Sequence, residues 1–483
     1  MDGRHILLLL LLISPIIPAY AIDHIWIIGG GASLHSSQAQ IELNVKWERE
    51  VILRQASKAQ LQIFYTDGDN PESDIFAWHA PVESPRTLQP LARIFDAQGA
   101  NGEQFYSNTV PGVNGTTRAP ELVARLRKEF SKLVPGDRVL FIFYGHGTYN
   151  DADVADNALR LWGNTLLTAR DLEKMLSEIN PTIPVRLILP QCYSGGFARV
   201  MHPGAEATRT LVPHNRCAFM SVADNRESEG CTPSINIGDF RDYSTYFFAA
   251  LDGRTRLGKK LAANPDLDTN GHVSLREAHF YSMATAVSTD LPRSTSEVYL
   301  EEWQPWYLRW LSSTREPENI YNKLAQKVAV ANALPATGRE LIRSVSEAYK
   351  QYNKDISTFE NERMDLKKSI KPLQQKIRMD LAERWPAVLA PYTYNFYNFL
   401  QKELGPAQTF IMHHSNYQEL AKQQERMLEL DTLILAAQRK LAQMDKILRL
   451  RKLATLLDQF QRTASADDLA AYQRLVSCEE SRL

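Results

Sequence analysis

The amino-acid sequence predicts an α/β fold, a mostly parallel sheet sandwiched by helices, followed by an all-α C-terminal module. Short apolar runs alternate with helical patterns through the first 310 residues, and such alternation indicates βαβ units. Of the 23 glycines, 21 lie in residues 1–310. Residues 311–483 instead carry apolar residues at heptad spacing and show no strand signal of comparable strength. The chain therefore changes architecture near residue 310.

The N-terminus has the pattern of an export signal. A basic start precedes an apolar run over residues 6–13, and the small-x-small tripeptide Ala19-Tyr20-Ala21 follows. An uncleaved anchor is the alternative, but the apolar run is short and is followed by Pro15 and Pro18. We therefore expect residues 1–21 to be a cleaved signal peptide. The mature protein is expected to be secreted or periplasmic, with no transmembrane anchor.

Residues 22–310 are predicted to form the α/β domain, because runs of strand length and helical segments follow each other there. In an open parallel sheet, ligands and reacting groups gather at the carboxyl ends of the strands. The loops after the strands are therefore the expected place for chemistry. The predicted strands are 24–28, 61–65, 139–143, 185–189 and 217–222, and the predicted helices are 41–53, 120–133, 168–179 and 243–251.

Two heptad segments, 342–377 and 427–448, predict long helices in the C-terminal module, residues 311–483. The segment between them, 385–399, is rich in aromatic residues and prolines and is predicted to turn, which makes an antiparallel hairpin or coiled coil. Pro372 lies inside the first segment and is expected to kink or restart that helix. Apolar stripes at this spacing usually form an internal core. A protein partner, or self-association through these helices, is the alternative.

Composition excludes several classes of protein. The net charge is −1, from 55 Lys and Arg against 56 Asp and Glu, whereas nucleic-acid-binding proteins usually carry a basic patch. Four cysteines in 483 residues are too few for a disulfide scaffold. Gly29-Gly30-Gly31, after the first predicted strand, lacks the G-x-G-x-x-G spacing of a dinucleotide site. The charge balance therefore predicts no nucleic-acid partner, and the glycine spacing predicts no dinucleotide site.

Two strand ends carry the reactive residues. The third predicted strand runs into Tyr144-Gly145-His146-Gly147, and the fourth into Gln191-Cys192-Tyr193-Ser194-Gly195-Gly196. Because parallel strands end at one edge of the sheet, His146 and Cys192 can face each other there. A thiolate is the nucleophilic form of cysteine, and an adjacent imidazole activates the thiol near neutral pH. The alternative is a buried cysteine and a loop histidine without a catalytic role.

These strand ends resemble the catalytic core of the caspase-like cysteine peptidases, and in particular the legumain branch with its bacterial exported relatives. The resemblance covers about residues 24–255. It implies that residues 22–310 form a catalytic domain, with Cys192 as the acylated nucleophile and His146 as the general base and acid. It also implies that the backbone amides of Gly147 and Cys192 form the oxyanion hole.

The same resemblance implies a peptide or protein substrate and a pocket after the fifth predicted strand. Residues 223–228 are similar to the legumain segment at this place, and Gly238-Asp239-Phe240 resembles a Gly-Asp-aromatic stretch whose acid lines the primary specificity pocket. The substrate-binding residues implied are Ser221, Ala223 and Asp239.

The chain departs from legumains at two places near the expected pocket. Ser36-Ser37 stands where legumains carry an Arg-His pair, and Pro190 stands where an acid usually precedes the catalytic cysteine by two residues. These departures argue against an asparagine pocket built on charged partners. Asp239 without a compensating arginine instead favours a basic residue at the cleavage site.

Residues 266–277, with the sequence Asp-Leu-Asp-Thr-Asn-Gly-His-Val-Ser-Leu-Arg-Glu, fit the twelve-residue loop of an EF-hand. Such a loop supplies hard oxygen ligands and a sharp glycine turn, which suit Ca²⁺. The alternative is an ordinary Asp/Asn/Gly turn before a helix. We expect one structural calcium site, with the ligands Asp266, Asp268, Asn270, His272 through its carbonyl, Ser274 and Glu277.

The remaining cysteines suggest one disulfide. If Cys192 stays a free thiol, Cys217, Cys231 and Cys478 leave one cysteine unpaired, and Cys217–Cys231 is the most local bridge. An exported protein meets an oxidising compartment, in which disulfides form and persist.

The leading functional hypothesis is an exported cysteine endopeptidase with a structural calcium site and a helical C-terminal module. One alternative is a catalytically inactive scaffold that acts through its helical tail. Another is a transpeptidase, which uses the same acyl-enzyme and differs only in the nucleophile that resolves it.

Overall fold

The structure, a computed structural model, describes residues 22–78, 89–95, 103–206, 210–304, 316–391 and 393–483. The expected signal peptide, residues 1–21, lies outside the described residues, as does the point near residue 310 where the composition changes. The described segments build a central sheet, two small antiparallel sheets and a large helical region.

A seven-stranded sheet forms the centre of the described structure. The strands along the chain are β1 (Asp23–Gly29), β2 (Gln60–Tyr65), β3 (Ile75–Trp78), β4 (Glu103–Tyr106), β5 (Val113–Gly115), β6 (Arg138–Tyr144), β7 (His146–Thr148), β8 (Ala158–Leu161), β9 (Thr165–Thr168), β10 (Val185–Leu189), β11 (Arg216–Met220) and β12 (Arg293–Ser294). The sheet order is β12-β11-β10-β6-β1-β2-β5, and only β12 pairs antiparallel with its neighbour. The predicted α/β class with a mostly parallel sheet is confirmed.

Helices cover both faces of this sheet and continue to the C-terminus. They are α1 (Ala39–Gln55), α2 (Gln89–Phe95), α3 (Ala119–Phe130), α4 (Ala169–Leu176), α5 (Tyr243–Asp252), α6 (Leu275–Thr285), α7 (Thr295–Trp303), α8 (Ile320–Ala331), α9 (Gly338–Arg384), α10 (Tyr394–Lys402), α11 (Leu404–His413), α12 (Tyr417–Thr463) and α13 (Ala466–Glu479). The predicted all-α C-terminal region is confirmed. Within the described segments, none of the helices combines the length and apolar character that crossing a membrane requires.

The inner strands are apolar almost throughout because both of their faces are buried. Alternate side chains of β1 and β6 enter different cores: Trp26 and Phe141 lie in the core beneath α3 and α4, whereas Ile27 and Ile142 lie in the core beneath α1 and α5. Strands buried on both faces are typical of parallel sheets. Successive side chains of each inner strand therefore pack into opposite cores and hold the strand between two helical layers.

Two small antiparallel sheets flank the carboxyl edge of the central sheet. Strands β3 and β4 pair as one, and β7, β8 and β9 as the other. The backbone N–H of Phe76 in β3 donates to the Ser37 carbonyl (2.8 Å). Strand β7 begins at His146, directly after the end of β6. Both small sheets therefore border the loop that carries this histidine.

Helices α9 and α12, each 47 residues long, form the predicted antiparallel hairpin. Arg426 binds Glu362 (2.7 Å), and the Ser369 hydroxyl donates to Gln423 (2.7 Å), so residue numbers rise along one helix as they fall along the other. Of the kink or restart expected at Pro372, the restart does not occur, because α9 is continuous across this residue. Proline removes only one backbone donor, and buried residues on the following turns hold the helix in place.

The C-terminal helices share a core with the sheet. The cluster that contains Trp26 of β1 also contains Leu324 of α8, Phe460 of α12 and Leu475 of α13. A third, distal cluster joins the far ends of α9 and α12 with α10, α11 and the short α2, through Ile94 and others. The change of composition near residue 310 therefore does not separate two independent cores.

A disulfide links Cys217 in β11 to Cys478 in α13, with their Cα atoms 5.9 Å apart. The expectation that Cys217 pairs with Cys231 is wrong, since Cys231 is a free thiol. The Cys231 Sγ lies 3.8 Å from the Gly145 carbonyl oxygen, at the carboxyl edge of the sheet. The chain fold brings Cys478 to β11 although 261 residues separate it from Cys217.

Candidate active site

Strands β6 and β10 bring the two predicted catalytic residues to the same level of the sheet. They pair in parallel with a constant offset, Val139 with Val185 and Ile142 with Ile188. The same offset relates His146 to Cys192. Because β6 and β10 are neighbouring strands, both residues follow strand ends at the same carboxyl edge of the sheet.

The backbone of Gly147 lies directly against Cys192. A Cβ atom built on Gly147 would come within 1.9 Å of the Cys192 carbonyl oxygen and 3.2 Å of the Gln191 Cγ. Only glycine fits such an approach without moving one of the two loops. Gly147, predicted for the oxyanion hole, is therefore in contact with the loop that carries Cys192.

The His146 ring is oriented by groups from the loop before α1. Its Nε2 lies 2.8 Å from the Ser36 carbonyl oxygen and 2.8 Å from the Gln38 Oε1. A carbonyl oxygen can only accept, so Nε2 carries the proton and Nδ1 keeps its lone pair. Burial lowers the pKa of His146, and the Ser36 hydrogen bond opposes this shift. The neutral imidazole is therefore favoured.

The Cys192 thiol is half-buried and bonds to the backbone of Ser228. Its Sγ accepts from the Ser228 N–H (3.3 Å) and lies 3.8 Å from the Ser228 carbonyl oxygen. Burial raises the pKa of the thiol, the hydrogen bond with Ser228 lowers it, and the carboxylates of Glu227 and Asp290 raise it. The two pKa shifts therefore favour the uncharged forms, a thiol at Cys192 and a neutral imidazole at His146.

Buried hydroxyl groups support the turn that carries Cys192. Ser221 is fully buried, and its hydroxyl donates to the Gln191 carbonyl (3.2 Å) and lies 3.3 Å from the Ser194 hydroxyl. The Ser221 side chain, expected at the substrate pocket, therefore lies beneath the turn. Ala223 is half-buried beside the same turn.

The two acids near the expected pocket have very different surroundings. Asp239 is exposed in a short 3₁₀ turn, where it accepts from the Asn236 side chain (2.6 Å). Asp242 is 1% exposed and accepts from the Tyr144 hydroxyl (2.7 Å) and the Gln40 side chain (2.9 Å). Asp242 is thus the acid that is built into the structure beside the His146 loop.

The N-cap pattern before α5 could have revealed Asp242 from the sequence. Its carboxylate accepts from the Thr245 N–H (3.2 Å), three residues later, at the start of an apolar run. The positively charged Arg256, which interacts with Asp242, is not marked by any pattern in the sequence. This guanidinium lies over the rings of Phe240 (4.8 Å) and Trp47 (5.1 Å), and burial lowers its pKa while Asp242 opposes the shift.

The predicted calcium loop is a compact turn before α6. Carboxylate oxygens of Asp266, Asp268 and Glu277 lie within 4.8 Å of one another. The Asp266 carboxylate also accepts from the N–H groups of Asn270 (3.1 Å) and Gly271 (2.9 Å). Among the described residues, no lysine or arginine forms an ion pair with the three acids. Three carboxylates thus converge without a cationic side chain.

The remaining predicted ligands take part in hydrogen bonds of the same loop. The Asn270 amide donates to Asp268 (2.7 Å), and its oxygen accepts from the His272 N–H (3.0 Å). The Ser274 hydroxyl donates to Glu277 (2.9 Å) and caps α6. This set of hard oxygen donors matches the chemistry that Ca²⁺ prefers.

Comparison with known proteins gives little. No protein-family model matches the chain, and no curated protein matches it. Among solved structures, protein GSU0716 from Geobacter sulfurreducens is 12% identical, with a TM-score of 0.30, over 56% of this chain and 92% of that chain. The functional assignment therefore rests on the residues of the site itself.

Proposed function

We propose that the protein is an exported cysteine endopeptidase of the caspase-like, legumain-related type. Cys192 is the nucleophile and His146 is the general base and acid. The observation that carries the proposal is the orientation of the His146 ring: its Nε2 bonds to the Ser36 carbonyl, which leaves Nδ1 available as a base, and the strand before His146 neighbours the strand before Cys192. A histidine with only a structural role would not require a thiol at the corresponding position after the neighbouring strand.

The proposed reaction begins with transfer of the Cys192 proton to Nδ1 of His146 as the sulfur attacks the peptide carbonyl. Backbone amides of Gly147 and Cys192 stabilise the oxyanion. Protonated His146 then gives its proton to the leaving amine, and the C–N bond breaks to leave the acyl-enzyme. His146 finally takes a proton from water, whose oxygen attacks the acyl carbon and releases the carboxylic acid and the free thiol.

A general-base mechanism is supported by the two opposite pKa shifts. Burial lowers the pKa of His146 and raises the pKa of Cys192. A preformed thiolate and imidazolium pair would require the pKa of Cys192 to lie below the pKa of His146. The proton therefore moves during attack, and the imidazole must be neutral for the reaction to begin.

The substrate contacts proposed are Ala223, beside the turn that carries Cys192, and Asp239, because both are accessible. Ala223 is half-buried and Asp239 exposed, whereas the Ser221 hydroxyl is occupied by Gln191 and Ser194. A basic residue at the cleavage site remains our proposal for substrate preference, on the charge of Asp239. Peptides with Arg or Lys at that residue should be cleaved faster than matched Asn and Asp peptides, and equal rates would contradict this.

Covalent labelling tests the catalytic proposal. An acyloxymethyl-ketone peptide should label the wild-type protein, and Cys192→Ala should abolish labelling. Cys231→Ser is the matched control, because it removes the other free thiol and should label normally. Absence of labelling in the wild type, or equal labelling of Cys192→Ala, would instead favour an inactive scaffold that acts through its helices.

We further propose one structural Ca²⁺ in the loop 266–277. Side chains of Asp266, Asp268, Asn270, Ser274 and Glu277 and the His272 carbonyl would hold it. The loop contacts the C-terminal segment, because the N–H of Leu275, within the loop and at the start of α6, donates to the Ser481 carbonyl beyond α13 (2.9 Å). Bound calcium would thus fasten α6 to the C-terminal helix.

Thermal unfolding tests the calcium site. Calcium at 100 times its dissociation constant would add about 2.7 kcal/mol, so Tm should rise by several degrees over a chelator control. The double variant Asp266→Asn, Glu277→Gln should lose this response. Identical melting curves with calcium and with chelator would contradict the proposal.

A further inference from the structure

Helix α12 of the long hairpin reaches the loop that holds the Cys192 thiol. The Arg439 guanidinium binds the Glu229 carboxylate through both Nε and Nη2, with Nε 3.0 Å from Oε1 and 3.3 Å from Oε2. Both side chains are mostly buried. A bidentate arginine fixes the orientation of its carboxylate as well as its position.

Glu229 is a junction between this helix and two loops of the α/β part. Its Oε2 accepts from the Ser288 hydroxyl (3.1 Å) and the Thr289 N–H (2.9 Å). Its own N–H donates to the buried Asp290 carboxylate (2.7 Å). Both the side chain and the backbone of Glu229 are therefore fixed at this junction.

Ser228, the residue before Glu229, makes the contact with the nucleophile. Its N–H donates to Cys192 Sγ (3.3 Å), and its hydroxyl donates to the Pro190 carbonyl (2.7 Å). An N–H aimed at sulfur stabilises the thiolate that forms as the proton leaves. A shift of the Glu229 backbone would turn this N–H away from the sulfur.

Helix α12 is itself fixed, so that Arg439 acts from a rigid support. The Lys446 ammonium and the Gln443 amide donate to the Ala286 carbonyl, at 2.8 and 3.2 Å. Farther along, Arg449 binds Glu297 (3.0 Å) within the core. These contacts hold the helix without the Arg439 pair.

We propose that Arg439 is a positioning residue for Cys192, acting through Glu229 to aim the Ser228 amide at the sulfur. The helical hairpin thereby supplies part of the support of the nucleophile. The effect expected on peptide hydrolysis rests on the proposed function, whereas the effect on the thiol does not.

The reactivity of the Cys192 thiol with iodoacetamide, measured from pH 5 to 10, tests the proposal. Sulfur attacks the iodoacetamide methylene and iodide leaves, so the rate follows the thiolate population. The protein carries Cys231→Ser throughout, so that no second free thiol reacts. Other groups that face Cys192, namely His146, Glu227 and Asp290, are unchanged in every variant.

Arg439→Ala should slow alkylation at pH 7.5 by about 3- to 10-fold and move the midpoint to higher pH. Arg439→Lys should recover part of the rate, since an ammonium keeps the charge but not the bidentate geometry. The matched control is Arg426→Ala, which removes another bidentate arginine of α12, bound to Glu362, about 20 Å farther along the helix. Its profile should equal that of the parent.

Circular dichroism would detect a failure of Arg439→Ala to fold. A second set of variants tests the same contact in that case. Glu229→Gln breaks the same connection from the loop side and should shift the profile in the same direction. Arg439→Ala added to Glu229→Gln should then cause no further change. Full additivity, or superimposable profiles for Arg439→Ala and the parent, overturns the proposal.

Peptide hydrolysis separates this proposal from the proposed function. In an active peptidase, Arg439→Ala should lower kcat with little change in KM, since the substrate contacts are elsewhere. A parent protein without peptidase activity, but with the alkylation shift, would refute the peptidase and retain the positioning role. An unchanged alkylation profile in an active peptidase would refute only the positioning role.

Discussion

His146 and Cys192 obtain opposite pKa shifts from the same cause, the burial of the strand ends. A buried imidazole resists gaining a charge, and a buried thiol resists losing its proton. Ser36 and Ser228 each add one directed hydrogen bond, to Nε2 and to Sγ respectively. Backbone groups of two separate loops therefore help to fix the protonation of His146 and Cys192.

The pH dependence of kcat/KM should reflect the lowered pKa of His146. The reaction needs the neutral imidazole, and its folded pKa lies below the usual value of about 6.5. Activity should therefore persist as the pH falls through 6.5 and decline only at lower pH. Initial rates between pH 4 and 9, with circular dichroism to show that the fold persists, measure this. A half-maximal point at or above pH 6.5 on the acidic side would contradict it.

Gly147→Ala should lower kcat by about 100-fold, because displacement of a reacting group by about 1 Å has an effect of that size. The added Cβ would lie 1.9 Å from the Cys192 carbonyl oxygen, so the two loops must separate. Gly112→Ala is a control for a glycine substitution with open space around it. Its kcat should stay near that of the wild type, although its positive φ makes it slightly less stable. An active Gly147→Ala enzyme would contradict the tight approach.

At the residue scale, the sequence predicts the reactive atoms better than their partners. His146 and Cys192 stand out because glycine-rich strand ends surround both. Ser36 and Gln38 lie more than 100 residues from His146, and their contacts depend on the folded loops. The motif resemblance points to Asp239, whereas burial and the N-cap pattern distinguish Asp242 in the structure.

At the scale of elements, α9 demonstrates that a proline does not always end a helix. Pro372 is exposed, while Ile370, Gln374 and Ile377 around it are buried in the distal cluster or against it. Packing on the buried side holds the turn although one hydrogen bond is missing. Heptad spacing therefore gave the length of the helix more reliably than the single proline.

Pro372→Ala should stabilise the protein by about 1–2 kcal/mol. Alanine restores the missing N–H, and a smaller opposing effect comes from the greater freedom of the unfolded chain. Urea unfolding, followed by the helical circular dichroism signal, measures the change. Gln375→Ala, an exposed position on the next turn, is the control and should change stability by less than about 0.5 kcal/mol. Destabilisation by Pro372→Ala would show that the proline is required by the local packing.

The order of strands and helices could be read from the sequence because each apolar run reports burial on its own element. The positions of β3, β4 and the β7–β9 sheet were not predicted. Their segments are short, and part of their stability comes from pairing with distant chain, such as Phe76 with Ser37. Such pairing leaves no periodicity within either segment.

At the scale of the whole molecule, the helical region and the sheet form one folded unit. The buried Glu297 connects His279 of α6 (3.2 Å) to Arg449 of α12 (3.0 Å). Although burial raises its pKa, Arg449 and His279 lower it to about 2. Glu479 of α13 is equally buried and accepts from the Thr295 hydroxyl (2.9 Å). Charges buried between α6, α7, α12 and α13 require that these helices stay together.

The double variant Cys217→Ser, Cys478→Ser should lower the free energy of unfolding by about 3–5 kcal/mol. The bridge closes a very long loop of the unfolded chain, and its removal restores that chain entropy. Urea unfolding of the oxidised protein and the double variant measures the loss. Cys231→Ser is the control, since its thiol forms no bridge. If Cys217 were paired with Cys231 instead, Cys231→Ser would also lower the free energy of unfolding, which would contradict the bridge to Cys478.

The long span of the bridge also determines what a cut chain would look like. Cleavage of one peptide bond anywhere between Cys217 and Cys478 leaves two fragments that remain covalently joined. Such a nicked protein would migrate as one species in a denaturing gel and separate into two bands only after reduction. Cleavage in this segment would therefore not by itself release the C-terminal helices from the sheet.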